Sequence, residues 1–365
     1  MGWTSPSDRS TGDTITSAIW NENVGASGNS KALRDGGIAT SGQAANDIVI
    51  ASSSTQLDTV AAGTAGQFLK TNGAGSAPSW ATVSSPLGVA EGRLTATSGT
   101  PVTVADVSGA TSIYYTPYTG NKIALYDGSA WDLFTFTEIT ISLSGLTASR
   151  PYDVFAYDNS GTVTIETLIW TNSTTRATNL VYQNGVLVKS GATTRRYLGS
   201  VYINATGGQT DDTVVKRYLW NHSNRHPRPM YRHDPTDSWT YTSTTFRQAN
   251  ANVANQLAVM IGVQEACLNI SAIAVANNSG GLNNCIMVTG IGIDSTSVDS
   301  SQISGDAESS NFEDAEFSAQ LVTYGSVGYH YYAWLEKSQV YATTTWIGDN
   351  GGNGGKTGRI GWVEG

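Results

Sequence analysis

The first 85 residues hold too few large apolar side chains to close a core of their own, and this limits what the whole chain can become. One helix is predicted there, over residues 12–24. Thr14 or Thr16 can cap it, and Ile15, Ile19 and Trp20 share a face. A helix this short needs something to pack against. Gly- and Ser-rich sequence follows, with brief polar-apolar alternation at 47–50 and 56–60. Residues 63–80 then read as turn, short strand, tight turn, short strand. Asn72-Gly73 accepts positive φ at the tight turn, and Phe68, Leu69 and Trp80 are the available anchors. Such a stretch is stable when chains wrap around one another or lie on a partner surface, so residues 1–85 are expected to be an extended attachment and oligomerisation region.

From residue 86 the pattern changes to frequent short strands. Those expected in the first part are 101–107, 112–115, 122–126, 131–136, 138–143, 152–158, 162–170, 186–187 and 197–203. Asp127-Gly128 and Asn184-Gly185 supply hairpin turns. Charged residues make up only 13 % of the chain and Gly numbers 40, so polarity comes from hydroxyls and amides, which suits strands and turns. The predicted fold is mainly β: a β-sandwich over 86–215, a basic, Pro-containing connector over 216–250, and a second, jelly-roll-like sandwich over 251–365. That last part opens with a possible strand pair, 256–263 and 266–275. Strands at 285–293, 319–324, 329–335 and 340–347 follow, and it closes in a Gly-rich stretch containing Trp362.

A net charge of -9 argues against nucleic acid as a partner. No apolar run is long enough to insert as a membrane helix, and Met1-Gly2-Trp3-Thr4 lacks the features of a signal peptide. Cys267 and Cys285 sit in apolar strand-like runs and are expected to be buried free thiols. Synthesis in a reducing cytoplasm and a composition suited to the outside of a cell are reconciled by a particle released on lysis.

The chemistry-bearing residues are few. His222, His226, His233 and Asp234 could ligate a metal, but their spacing matches no standard zinc pattern and Pro227, Pro229 and Pro235 interrupt them. A basic interface or inter-domain loop built on Arg225, Arg228 and Arg232 is the preferred reading, with no metal and no cofactor. Residues 294–316 carry seven acidic groups and no Lys or Arg. They form a solvated loop or a salt-bridging counterpart to the connector. Glu138, Asp153, Asp158 and Glu166 are the carboxylates available for a glycosidase pair, a weak case. Tyr324, Tyr329, Tyr331, Tyr332, Trp334, Tyr341 and Trp346 form an aromatic-dense stretch. They are expected to be core or subunit interface, with any exposed members free to stack on sugar rings.

Two segments resemble bacteriophage virion proteins. Gly12-Asp13-Thr14-Ile15-Thr16-Ser17-Ala18-Ile19-Trp20-Asn21 is similar to a segment near the start of many phage tail and fibre proteins. Residues 63–80, with Gly66, Gln67, Leu69, Asn72, Gly73, Pro78 and Trp80, resemble an element of phage fibre shafts. The resemblance implies a virion protein that is a homotrimer, bound at its N-terminal part to other phage structural proteins of tail or capsid. Its distal domains would face a host surface glycan or protein. The expected function is thus a non-enzymatic tail fibre contributing to host attachment. A head fibre, capsid decoration or tail-hub protein is the alternative, and a glycan depolymerase the weaker one.

Overall fold

Turn chemistry sets the local structure. Asp127 Oδ1 accepts the backbone N–H of Ser129 at 2.6 Å and of Ala130 at 2.7 Å, and Gly128 takes φ +112°. This folds Lys122–Tyr126 onto Trp131–Thr135 with Tyr126 opposite Trp131. Asn184 and Gly185 both have positive φ, as a two-residue hairpin loop requires, and Gln183 pairs directly with Val186. The computed structural model describes residues 44–53, 57–82, 87–280, 285–309, 312–352 and 355–365. The helix expected at Ile15, Ile19 and Trp20 lies outside them. Among the described residues every regular element is a strand apart from two single 3₁₀ turns, and no helix is long and apolar enough to cross a membrane.

The chain divides into two units, residues 1–84 and 85–365. In the first, Ile48–Ala51 pairs with Leu57–Val60, and Gln67–Lys70 pairs with Ser79–Thr82, both antiparallel. No described residue of this unit is buried.

The second unit is built on three large sheets. In the middle one the order runs Thr162–Ile169, Arg150–Asn159, Ala192–Ile203, Val186–Lys189, Leu180–Gln183, and Leu219–Asn221 also pairs with Ala192–Ile203. The inner sheet runs Gly305–Ser309, Cys285–Ile293, Gly328–Ser338, Gln256–Ile261, Lys216–Arg217, Thr210–Asp212, Val107–Ala110. The outer sheet runs Pro227–His233, Gly358–Glu364, Cys267–Asn278, Thr344–Ile347, Ser238–Thr240, with Ala315–Tyr324 paired to the far side of Cys267–Asn278. The inner and outer sheets enclose the main core, in which Leu257, Val259, Tyr332 and Trp334 meet Leu268, Ile270, Ala272 and Trp346. The same cluster takes in Phe155, Tyr197 and Trp220 from the middle sheet.

The expected boundaries at 215/216 and 250/251 therefore fall inside shared sheets. Residues 216–250 are not a linker: they contribute five short strands to the three sheets. Pro227 and Pro229 exclude helix there, yet proline is tolerated at a sheet edge, and Pro227–His233 is an edge strand. Strands 256–261 and 267–278 do not pair with each other but enter different sheets. Pro101–Val104 carries no strand, and pairing begins at Val107.

Candidate functional site

The seven aromatic residues of 324–346 scatter. Tyr332, Trp334 and Trp346 are core. Trp334 donates its indole N–H to Thr289 Oγ1 at 2.9 Å and meets Trp239 edge-on, while Trp346 donates to the Tyr241 carbonyl at 3.0 Å and packs on Phe317. Tyr329 stacks on Tyr202 at 4.0 Å between ring centroids and lies edge-on to Tyr218. Tyr331 is half-buried, and its backbone N–H bonds Asp294. Tyr324 and Tyr341 are exposed. The physical reason is that Gly328–Ser338 lies inside the inner sheet and is covered on both faces, so its alternation does not separate core from surface.

The connector residues are structural too. Arg228 and Arg217 clamp Asp212, each at 2.9 Å, and Arg228 also bonds the Thr103 carbonyl. Arg225 pairs with Glu265 at 3.6 Å. The four metal candidates point to separate neighbours. His222 packs against Tyr197 and Trp220, His226 Nε2 meets the Tyr118 hydroxyl at 2.6 Å, and His233 stands on the outer face. Asp234 is bonded by Asn255 Nδ2 at 2.5 Å and the Thr236 N–H at 2.9 Å. Among the described residues no three His, Cys, Asp or Glu side chains converge on a metal position. In 294–316, Asp294 meets His330 at 2.6 Å and Asp314 accepts from Asn277. Of the carboxylates, Asp153 is buried against Arg176 and Ser200, Glu166 bridges Lys189 and Arg195, Glu138 is bound by Ser98, Gly99 and Thr116, and Asp158 caps Gly161. Cys267 is half-buried and Cys285 buried, both as free thiols.

In the first unit, most fixed positions of residues 63–80 have a task. Trp80 sits opposite Leu69 and donates its indole N–H to the Ala61 carbonyl at 2.6 Å. Its ring lies where a side chain at Gly63 would be, 2.6 Å from an added Cβ. Gln67 Oε1 accepts from the Thr64 N–H at 2.8 Å, and Asn72 Nδ2 donates to the Ala77 carbonyl at 2.8 Å. Gly66 and Gly73 take φ of +86° and +98°. The hairpin nevertheless leaves Phe68 45 % and Leu69 42 % exposed, on opposite faces.

In the second unit the outside of the outer sheet carries a broad, partly apolar surface. Cross-strand register places Pro229, Trp362, Asn269 and Val322 in one row, and Tyr231, Ile360, Ser271 and Gln320 in the next. Tyr231 is 52 % exposed, Ile360 56 %, and Tyr324 at the sheet margin 63 %. A depression of 470 Å³ lies among Pro227, Pro229, Tyr231, Ile360 and Trp362, with Asn269 and Ser271 as its polar groups. Flat rings beside amide and hydroxyl groups suit either a sugar face or a protein surface. Tyr324 was among the aromatics expected at a receptor or subunit interface, whereas Tyr231, Ile360 and Trp362 were not. The signal was the period-two pattern Pro227-x-Pro229-x-Tyr231, hidden within an apparent linker.

No protein-family model matches the sequence, and no curated protein matches it. Among solved structures the chain is similar to the stem and receptor-binding domain of the spike protein P1 from bacteriophage PM2, at 10 % identity and a TM-score of 0.19 over 60 % of this chain and 88 % of that one. It is also similar to a Cry1Da tryptic core variant from Bacillus thuringiensis, at 8 % identity and a TM-score of 0.16 over 70 % and 48 %. At these scores neither likeness bears on function.

Proposed function

We propose that the chain is a non-catalytic structural component of a phage virion, a homotrimeric tail fibre. Residues 1–84 serve attachment and chain association, and residues 85–365 present the face around Tyr231, Ile360 and Trp362 to a host surface glycan or protein. The observation that carries this reading is the hairpin of residues 67–82. Its loop is fixed by the residues shared with the phage shaft element, yet Phe68 and Leu69 expose both its faces. A two-stranded hairpin is marginal alone in water, so these side chains call for neighbouring chains. The outer-sheet face favours a tail fibre over a head fibre, capsid decoration or tail-hub protein, since those need no second exposed surface.

Host-cell and glycan-array binding by the purified intact chain tests the receptor part. Binding that disappears in Tyr231→Ala and Trp362→Ala, with the melting temperature retained, is the expected result. Wild-type protein that binds neither host cells nor glycans overturns it and leaves the purely structural virion component.

A further inference from the structure

The inward face of the outer sheet carries an anomaly unrelated to its exposed side. Arg359 lies in strand Gly358–Glu364, and alternation turns it into the core together with Val363. It is 3 % exposed, and among the described residues no acceptor reaches its Nε, Nη1 or Nη2. Burial pushes this guanidinium down to about 9, with the Tyr332 phenol the one ionisable group set against that. Removing five N–H donors and a full charge from water without compensation is costly.

The other deeply buried arginines are provided for. Arg93 bonds the carbonyls of Pro101, Asn224 and Gly365. Arg196 bonds those of Leu87, Gly88 and Ala124. Arg217 and Arg228 share Asp212. Arg359 is the exception, and its cross-strand neighbour compounds it. Arg232 stands directly opposite Arg359, on the same inward face, and its own Nε is buried and unpaired. Facing side chains in such a pair have Cβ atoms about 5 Å apart. Two guanidinium groups on one face of a single cross-strand pair make a positive site that an anion would neutralise.

The surroundings suit a small ion. The row continues from Arg359 to Ala272 and Ala319, which carry only methyl side chains. Arg232 is on the edge strand, and the Arg232–Arg359 pair is one position from the end of the ladder at His233–Gly358. A depression of 410 Å³ lies beside that end on the outer face, lined by Tyr231, His233, Ile273, Lys356 and Ile360 as well as by the two arginines. The positive charge of Lys356 there raises the local concentration of anions.

We propose that Arg359 and Arg232 form a binding site for a small inorganic anion, held between the inner and outer sheets at the end of the edge ladder. The guanidinium fork of Arg359 suits two oxygens of a tetrahedral oxyanion, and inorganic phosphate and sulfate are its fitting ligands.

The test is thermal unfolding of the intact chain during titration with sodium phosphate, sulfate or chloride, for wild type and Arg359→Met in the same buffers. General salt effects act on both proteins alike, whereas the site responds only in wild type. In buffer without added oxyanion, Arg359→Met melts above wild type, because an apolar side chain replaces an uncompensated charge. Added phosphate or sulfate raises the wild-type melting temperature saturably and leaves Arg359→Met behind. Arg232→Met keeps the response with affinity weakened about tenfold, roughly the loss of one charge-assisted contact. This variant decides the matter if Arg359→Met does not fold. The proposal is overturned if phosphate and sulfate shift wild type no more than they shift Arg359→Met, if Arg232→Met responds at the same concentrations as wild type, or if chloride alone gives the full effect.

Discussion

Two hairpins in this protein, made by similar turn chemistry, have opposite fates. The hairpin Lys122–Tyr126 with Trp131–Thr135 buries Ile123, Ala124, Leu125 and Trp131 within the second unit. The hairpin Gln67–Lys70 with Ser79–Thr82 buries nothing and exposes Phe68 and Leu69. A turn dictates where a chain reverses, but only apolar burial makes the result stable. The second unit supplies its own cover, whereas the described residues of the first bury none.

The comparison breaks most visibly in the core. Trp334→Ala and Trp346→Ala each remove a fully buried indole and are expected to cost about 3–5 kcal/mol in denaturant unfolding of the second unit. A loss under about 1 kcal/mol for both contradicts the core assignment, and with it the claim that these rings are unavailable to ligands.

A second effect is set by pH. Glu336 is fully buried and pushed up to about 7 by burial, a rise that hydrogen bonds from Trp239 and Arg247 only partly offset. The folded state therefore holds this proton more tightly than the unfolded one. The associated stability is complete below the ordinary glutamate value of 4.5 and is lost as pH rises through about 7. Urea unfolding across this range is expected to show a loss on the order of 1–3 kcal/mol attributable to Glu336. Glu336→Gln should remove that part of the slope, and an unchanged slope in the variant refutes the assignment.

The smallest effect is expected on the outer face. Tyr231→Ala changes stability by only about 0.5 kcal/mol, because its ring is half exposed. A melting temperature lowered as far as by Trp334→Ala shows that Tyr231 is covered within the single chain.

What the sequence revealed was mostly local. Asn184-Gly185 and Asp127-Gly128 specify their hairpins from neighbouring residues alone, and the strands at 152–158 and 285–293 were readable from their β-branched and aromatic runs. Failures came where distant residues decide. Tyr332 and Trp334 alternate with Tyr331 and Ala333 as a surface strand would, and only the inner sheet's position between two layers buries both sides. The segment around Pro227 and Pro229 read as a connector because proline excludes helix. Its partner strand, Gly358–Glu364, lies over a hundred positions later and was masked by glycines. Lys216–Arg217 pairs in parallel with Gln256–Ile261, a non-local contact that no local pattern announces. The candidate site was accordingly half legible: Phe68, Leu69, Trp80 and Tyr324 from pattern, Tyr231, Ile360 and Trp362 only from register.

Light scattering on the intact chain and on a Phe68→Asp, Leu69→Asp double variant tests the division between the two units most directly. The account predicts a three-chain mass for wild type. The variant should have a lower mass, with the unfolding transition of residues 85–365 unchanged. A wild-type chain that is monomeric at micromolar concentration, or a variant that keeps the three-chain mass, contradicts it.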